Sequence, residues 1–230
     1  TPIKSSAASD VYKRQEGETY GMWHTFLDAF GLIAQPDHSN VFAVGFSLFN
    51  MIGQVITLAG VILLSGFLSN IFGKRNVFLI CLALTAFFTA LFFVVDSTNI
   101  STIFIINCLK SLAYAPTIPL LWAMMGDVAD HSEWVNHRRA TGFVFAGVVF
   151  ALKAGLGIGG AICGAIVDSF GFVSNTVQTE NAIFGIRLTS SVIPAITFFV
   201  GVIALFFYPI SKKLNEHIQD DLAKRRLENN

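Results

Sequence analysis

Five apolar blocks, at 41–72, 77–95, 102–125, 142–167 and 188–209, constrain this chain more than any other feature. About 20 helical residues at 1.5 Å each cross the ~30 Å hydrocarbon core of a bilayer. In lipid the backbone polar groups must be satisfied within the segment, which leaves helices or a closed barrel. Barrel strands need strict alternation over short segments, and these blocks are continuously apolar. The expected fold class is therefore all-α, a polytopic membrane helix bundle. Only 13% of residues are charged, against about a quarter in a soluble domain. A formal net charge of +0 carries no nucleic-acid footprint.

The start of the chain reads differently. Ser5–Gln15, SSAASDVYKRQ, resembles the in-frame translation of a transposase sequencing adapter. Residues 1–15 are set aside as a scar and not as native chain. Residues 16–40, with Trp23, Phe26 and Phe30, are too short and polar to span. They are expected to be the truncated outer end of a transmembrane helix and an outer loop. The native N-terminus is then expected to be missing.

Basic residues set the orientation. Beyond the scar there are twelve Lys and Arg, and nine lie at one level: Lys74, Arg75, Arg138, Arg139, Lys212, Lys213, Lys224, Arg225 and Arg226. The loops at 73–76 and 130–139 and the C-terminus are expected to be cytoplasmic. The tail from Ser211 is expected to be a solvated surface helix. Cys81, Cys108 and Cys163 have no pairing or metal spacing and read as packing residues.

Two motifs carry function. Gly66–Arg75, GFLSNIFGKR, resembles the major facilitator loop signature G-x-x-x-D-x-x-G-R/K-R/K. Gly66 and Gly73 suit close approach and a tight turn. Lys74 and Arg75 suit pairing with a helix end or carboxylate, and Asn70 stands where the signature has Asp. A plain basic turn is the other reading. Asp127–Gly142, DVADHSEWVNHRRATG, resembles the D-x-x-D-Y-G-E-W/Y-x-x-G-x-R-A-E-G signature of glycoside–pentoside–hexuronide:cation symporters, the melibiose permease family. Asp127, Asp130, Glu133, Trp134, Arg139, Ala140 and Gly142 match. His131, Ser132, His137 and Thr141 depart. Lys153, Asn181–Leu188, Pro194 and Tyr208–Pro209 extend the resemblance.

The resemblance implies the C-terminal six-helix half of a major facilitator fold with its first helix truncated. Residues 41–209 are then five transmembrane helices and 210–230 a cytoplasmic tail. Asp127, Asp130 and Glu133 fall on one helix side, with Arg138 and Arg139 close behind. Such a cluster suits a cytoplasmic gate in alternating access; a solvated charged loop is the plain alternative. Lys153 lies about eleven residues into its span, ~16 Å deep, where a charge needs a polar cavity or a partner. By resemblance it couples the cation and sugar sites. Lys110 is also intramembrane, as a contact to an anionic sugar or as a paired or snorkelling lysine. Trp122 and Tyr114 complete the cavity candidates. Pro116 and Pro119 are expected to bend their helix. Ile118, Val148 and Val149 stand at sugar-contact positions and make the pocket apolar. Gly155, Gly159, Gly160 and Gly164 suit close helix packing, and the Phe87–Phe93 stretch is expected to face lipid.

The expected function is Na+- or H+-coupled symport of a sugar or glycoside across the bacterial inner membrane, with the C-terminus cytoplasmic. The cation is expected to bind in the missing N-terminal half, with no cofactor and no metal site in this half. A carrier of lysolipid or of an anionic sugar such as a uronide is the alternative. An enzyme would need a constellation that His131 and His137, six apart, do not supply.

Overall fold

The computed structural model describes residues 41–95, 99–174, 176 and 178–228. The expected scar at 1–15 and the expected helix end and loop at 16–40 lie outside the described residues. The chain divides into two compact units, Thr1–Ile52 and Gly53–Asn230. Of the first, only the opening turns of one helix are described, and every contact below lies in the second.

The described residues form helices without strands: α1 Val41–Phe72, α2 Lys74–Val94, α3 Ile100–Tyr114, α4 Thr117–Asn136, α5 Thr141–Ser169, α6 Glu180–Arg187, α7 Ile193–Phe206 and α8 Lys212–Glu228. Leu188–Val192 forms a π-helical turn between α6 and α7. Five stretches are long and apolar enough to cross a membrane: Ala43–Phe72, Lys74–Val94, Ile100–Asn136, Thr141–Ser169 and Glu180–Phe206. The all-α class expected from the apolar blocks is the one observed.

The antiparallel pair α2 and α7 is the centre of the second unit, and α3 and α4 also pack on α2. The buried face of α2 carries Val77, Cys81, Leu82, Thr85, Ala86 and Thr89. Val77, Cys81, Thr85 and Thr89 fall four apart, with Leu82 and Ala86 beside them, the period of one helix face. Val77 and Cys81 form a core cluster with Leu120 of α4. Thr85 and Thr89 are buried safely because each hydroxyl donates to a carbonyl one turn back, of Cys81 and Thr85, at 2.7 Å. On the α7 side, a Cβ on Gly201 would come within 3.1 Å of Leu82.

Small residues also bring α1 against α3. A Cβ on Gly60 would lie 2.6 Å from that of Ala115, and one on Gly53 3.1 Å from both Asn107 and Ser111. This contact falls where Pro116 breaks the helix, since α3 stops at Tyr114 and α4 restarts at Thr117. Neither Pro116 nor Pro119 has an N–H to return to the turn before it. Thr117 Oγ1 donates to the Tyr114 carbonyl at 2.5 Å and takes up one released acceptor.

The structure corrects several boundaries. The third block does not end at Met125; α4 runs to Asn136, since nothing from Asp127 to Asn136 is Gly or Pro. The expected loop 130–139 shrinks to His137–Ala140. The fifth span starts at Glu180 rather than Leu188, capped by Thr179, whose Oγ1 accepts from the Ala182 N–H at 3.2 Å. Pro194 has no N–H for the ladder behind it, and the π turn lies just there. The hydroxyls of Thr189 and Ser190 donate at 2.8 Å to the carbonyls of Gly185 and Ile186, and that of Ser191 donates to Arg187.

Packing expectations change too. Phe87 is exposed, but Phe88, Phe92 and Phe93 are half-buried; Phe93 meets Phe184 edge to face at 5.8 Å. Gly66 has nothing within 4 Å of an added Cβ, and neither do Gly155, Gly159, Gly160 and Gly164. No described residue uses those glycines for close approach, and α5 has no buried residue at all. Besides Gly60, Gly185 needs its lack of side chain, since a Cβ there would sit 2.6 Å from Phe170.

Candidate functional site

The inter-helix ion pairs gather at one end of the bundle. Gly73 links α1 to α2 with φ 81°, a left-handed conformation that glycine adopts without strain. The turn aims Lys74 at α4, where its Nζ lies 2.7 and 2.9 Å from the two carboxylate oxygens of Asp127. Asp127 is nearly buried, and Asn215 of α8 donates to the same carboxylate at 3.2 Å. Arg75 turns the other way. It donates to the carbonyls of Leu205 and Phe206, at 3.4 and 3.0 Å, at the C-terminal end of α7.

Asp130 and Glu133 continue the layer on the same side of α4. Arg139 reaches back from the α4–α5 link to Asp130 at 3.0 Å, and its Nε lies 3.7 Å from Glu133. Gln219 donates to Asp130 at 2.8 Å and Arg226 to Glu133 at 3.0 Å. Arg138 is exposed, and among the described residues its side chain makes no ion pair; its carbonyl accepts from Ser132 at 3.4 Å.

The tail is therefore not a solvated helix. Asn215, Ile218, Gln219, Leu222 and Arg226 share one face of α8 by their spacing. Ile218 is fully buried and Leu222 nearly so. Trp134 Nε1 donates to Asp221 at 3.1 Å, and Arg225 donates to the Trp134 carbonyl at 3.2 Å. The Trp134 hydrogen bond leads the causes that hold the Asp221 carboxyl below its ordinary range; the nearby His217, Lys224 and Arg225 add to it. Sequence reading missed this docking because α8 is short of apolar residues. Leu214, Ile218 and Leu222, each a helical turn apart, are the signal for it.

The link between α4 and α5 holds one departure from the symporter signature in a conformation that suits the signature's residue better. His137 has φ 53°, and the signature has Gly there. That conformation costs a side chain about 1–2 kcal/mol. Arg225 Nη1 lies 3.4 Å from His137 Nδ1.

Inside this end lies a cavity of about 290 Å³ bounded by Lys74, Asp127, Tyr208 and Asn215 among others. Tyr208 donates to the Met124 carbonyl at 3.3 Å. Burial, then the Asp127 charge, push its phenol well above the usual tyrosine range, so it stays a donor. Among the described residues no three His, Cys, Asp or Glu side chains are placed to hold a metal.

The cavity candidates are dispersed. Lys153 is exposed on α5 without a described ion-pair partner. Lys110 Nζ sits 5.4 Å above the Phe92 ring, a cation–π contact that sequence reading had not considered. Trp122 stacks on Phe145 of α5, with centroids 6.1 Å apart and planes 13° apart, and stays 40% exposed. Tyr114 is tilted against Phe198 at 6.3 Å. No hydrogen bond, ion pair or ring contact joins these four to one another. Val148 lines an apolar groove of about 680 Å³ with Leu121, Leu152 and Phe198.

The family described as MFS/sugar transport protein matches residues 39–212. The chain is 28% identical over 177 residues to the glucuronide carrier protein homolog of Escherichia coli K12, covering 77% of this chain and 38% of that protein. It is 32% identical over 161 residues to the inner membrane symporter YicJ of the same organism, covering 68% and 34%. The isoprimeverose transporter of Lactiplantibacillus pentosus is 32% identical over 132 residues, covering 57% and 27%. The chain thus spans under two fifths of each of these relatives. The apolar helices, the Gly73–Arg75 turn, the acidic face of α4 and this match agree: the chain belongs to the MFS/sugar transport protein family, in its melibiose permease-like branch.

Proposed function

We propose that this chain is the C-terminal part of a secondary transporter that carries a sugar or glycoside across the bacterial inner membrane with Na+ or H+. The observation that carries the reading is the ion-paired layer closing one end of an apolar bundle. Lys74–Asp127, Arg139–Asp130 and Arg226–Glu133 join four elements there. Each basic partner is at least a third exposed, so water can take over its charge when the layer parts. Charge layers of this kind can form in one state and break in the other, as alternating access requires. This end is the cytoplasmic one in the proposal, by the concentration of Lys and Arg on it.

Lys153 is the proposed coupling residue. An exposed ammonium on an apolar helix at mid-membrane depth calls for an acidic partner or a polar cavity. The transporter's remaining helices would supply both, together with the cation site. The test is energised uptake of labelled glycosides into vesicles bearing the full-length transporter. Lys153→Ala should abolish gradient-driven accumulation while the protein still inserts. Full accumulation by that variant would overturn the coupling role.

A second reading, an anionic sugar as cargo, has its own support. Neither Lys110 nor Lys153 has a carboxylate partner among the described residues, and one relative is named a glucuronide carrier homolog. Lys110→Gln should then depress uptake of a glucuronide far more than of its neutral glucoside. Equal losses would rule the reading out.

A further inference from the structure

We propose that the cleft between the start of α2 and the start of α8 binds the phosphodiester headgroup of an anionic phospholipid. Two junctions meet there. Lys212 Nζ donates to the Asn70 carbonyl at 2.6 Å, and an added Cβ on Gly73 would lie 3.1 Å from that of Lys212. Between them is a space of about 50 Å³ lined by Gly73, Arg75, Asn76, Ser211, Lys212 and Phe72. That volume holds several waters or one small oxyanion.

The two cations there are not ion-paired, although Asp127 and Glu216 line the adjoining cavity. Among the described residues, Arg75 and Lys212 have no carboxylate within ion-pair distance; their partners are the neutral carbonyls of Leu205, Phe206 and Asn70. Lys213 is exposed next to them. α2 begins at this point without a side-chain cap, so its positive dipole end adds to the field. Lys74, committed to Asp127, is not needed.

The rim decides which anion. Phe72, Phe206 and Phe207 are 57%, 63% and 82% exposed. They stand where α1 and α7 end, at the level where apolar spans give way to basic residues. Aromatic side chains favour that interfacial layer. A soluble phosphate gains nothing from them, whereas a lipid places its phosphate on the cations and its glycerol and acyl chains along the phenylalanines. Basic pockets at helix ends bind anionic headgroups by this logic. The inference needs only that the helices span a membrane; it does not need sugar as the cargo.

The test uses the full-length transporter in nanodiscs of phosphatidylcholine with and without phosphatidylglycerol, followed by lipid retention on native mass spectrometry. Phosphatidylglycerol should be retained over phosphatidylcholine. Lys212→Gln and Lys213→Gln should each lower that retention by roughly fivefold. Lys212→Arg should keep it, and millimolar inorganic phosphate should not displace the lipid. Lys213→Gln guards against misfolding, since Lys213 has no described contact to lose. Equal retention in wild type and both Gln variants, equal retention of the two lipids, or displacement by phosphate would each overturn the proposal. Loss of uptake alone bears on the transport reading and leaves lipid retention unchanged.

Discussion

Arg75 and Arg187 sit at opposite ends of one antiparallel helix pair, and each closes the C-terminus of the other's helix. Arg75 at the start of α2 donates to Leu205 and Phe206 at the end of α7. Arg187, at the end of α6 and leading into α7, donates to Phe93 and Val95 at the end of α2, both at 2.9 Å. Its guanidinium also lies 5.9 Å from the Phe93 ring centre. A helix end leaves carbonyls unpaired, and a cation there meets the negative end of the dipole. Arg187→Leu should therefore destabilise the protein by about 2 kcal/mol, seen as an earlier thermal transition in detergent. Arg187→Lys, a point charge that cannot span both carbonyls as a fork, should recover only part. An unchanged transition in the leucine variant would refute the capping role.

Lys74 and Asp127 should behave as a coupled pair. Lys74→Ala leaves a nearly buried carboxylate without its cation, which costs up to about 3–5 kcal/mol in a buried setting. Lys74 is 35% exposed, so the lower half of that range is expected after solvent screening. Adding Asp127→Asn should restore much of the loss. A double-mutant cycle in thermal stability checks this, and simple additivity of the two losses would contradict it.

His137→Gly should stabilise the protein by about 1 kcal/mol, because only glycine occupies φ 53° freely. His137→Ala should not, since alanine keeps the Cβ that makes the conformation costly. Thermal melts of both variants decide the matter; an alanine variant as stable as the glycine one would show that the backbone is not the cause.

The docking of α8 rests on two apolar side chains. Leu222→Ala should cost about 2–3 kcal/mol of local stability and Leu222→Asp should release the helix. Limited proteolysis after Lys212 or Lys213 reports the release as faster cleavage. Cleavage at the wild-type rate in the aspartate variant would mean that the polar contacts suffice.

Acid should loosen the same helix. The Asp221 carboxyl lies below its ordinary 3.8, mainly through Trp134. A carboxylate depressed on folding contributes stability above its unfolded value and loses it as pH falls through the folded one. Docking should hold above about pH 3.8 and weaken below it. Trp134→Phe should remove most of this acid dependence in proteolysis at matched pH. An unchanged profile would assign it to another group.

By itself the sequence determined the helical membrane class, the five spans and the motifs that place the family. Those depend on block length, apolar content and local residue order, which hydrocarbon selects without help from tertiary contacts. The tertiary structure decided the rest. That Asp127 takes Lys74, 53 positions away, and that Arg187 closes the end of α2, follow from which helices lie side by side. The loop motif suits Lys74 to a carboxylate, but nothing in the local pattern says which one. The tail shows the same division most plainly. With so few apolar residues α8 reads as solvated, yet Ile218 and Leu222 are buried because the acidic end of α4 offers a matching polar face around them. A helix whose affinity for its neighbour lies in paired charges is legible only once both partners are in place.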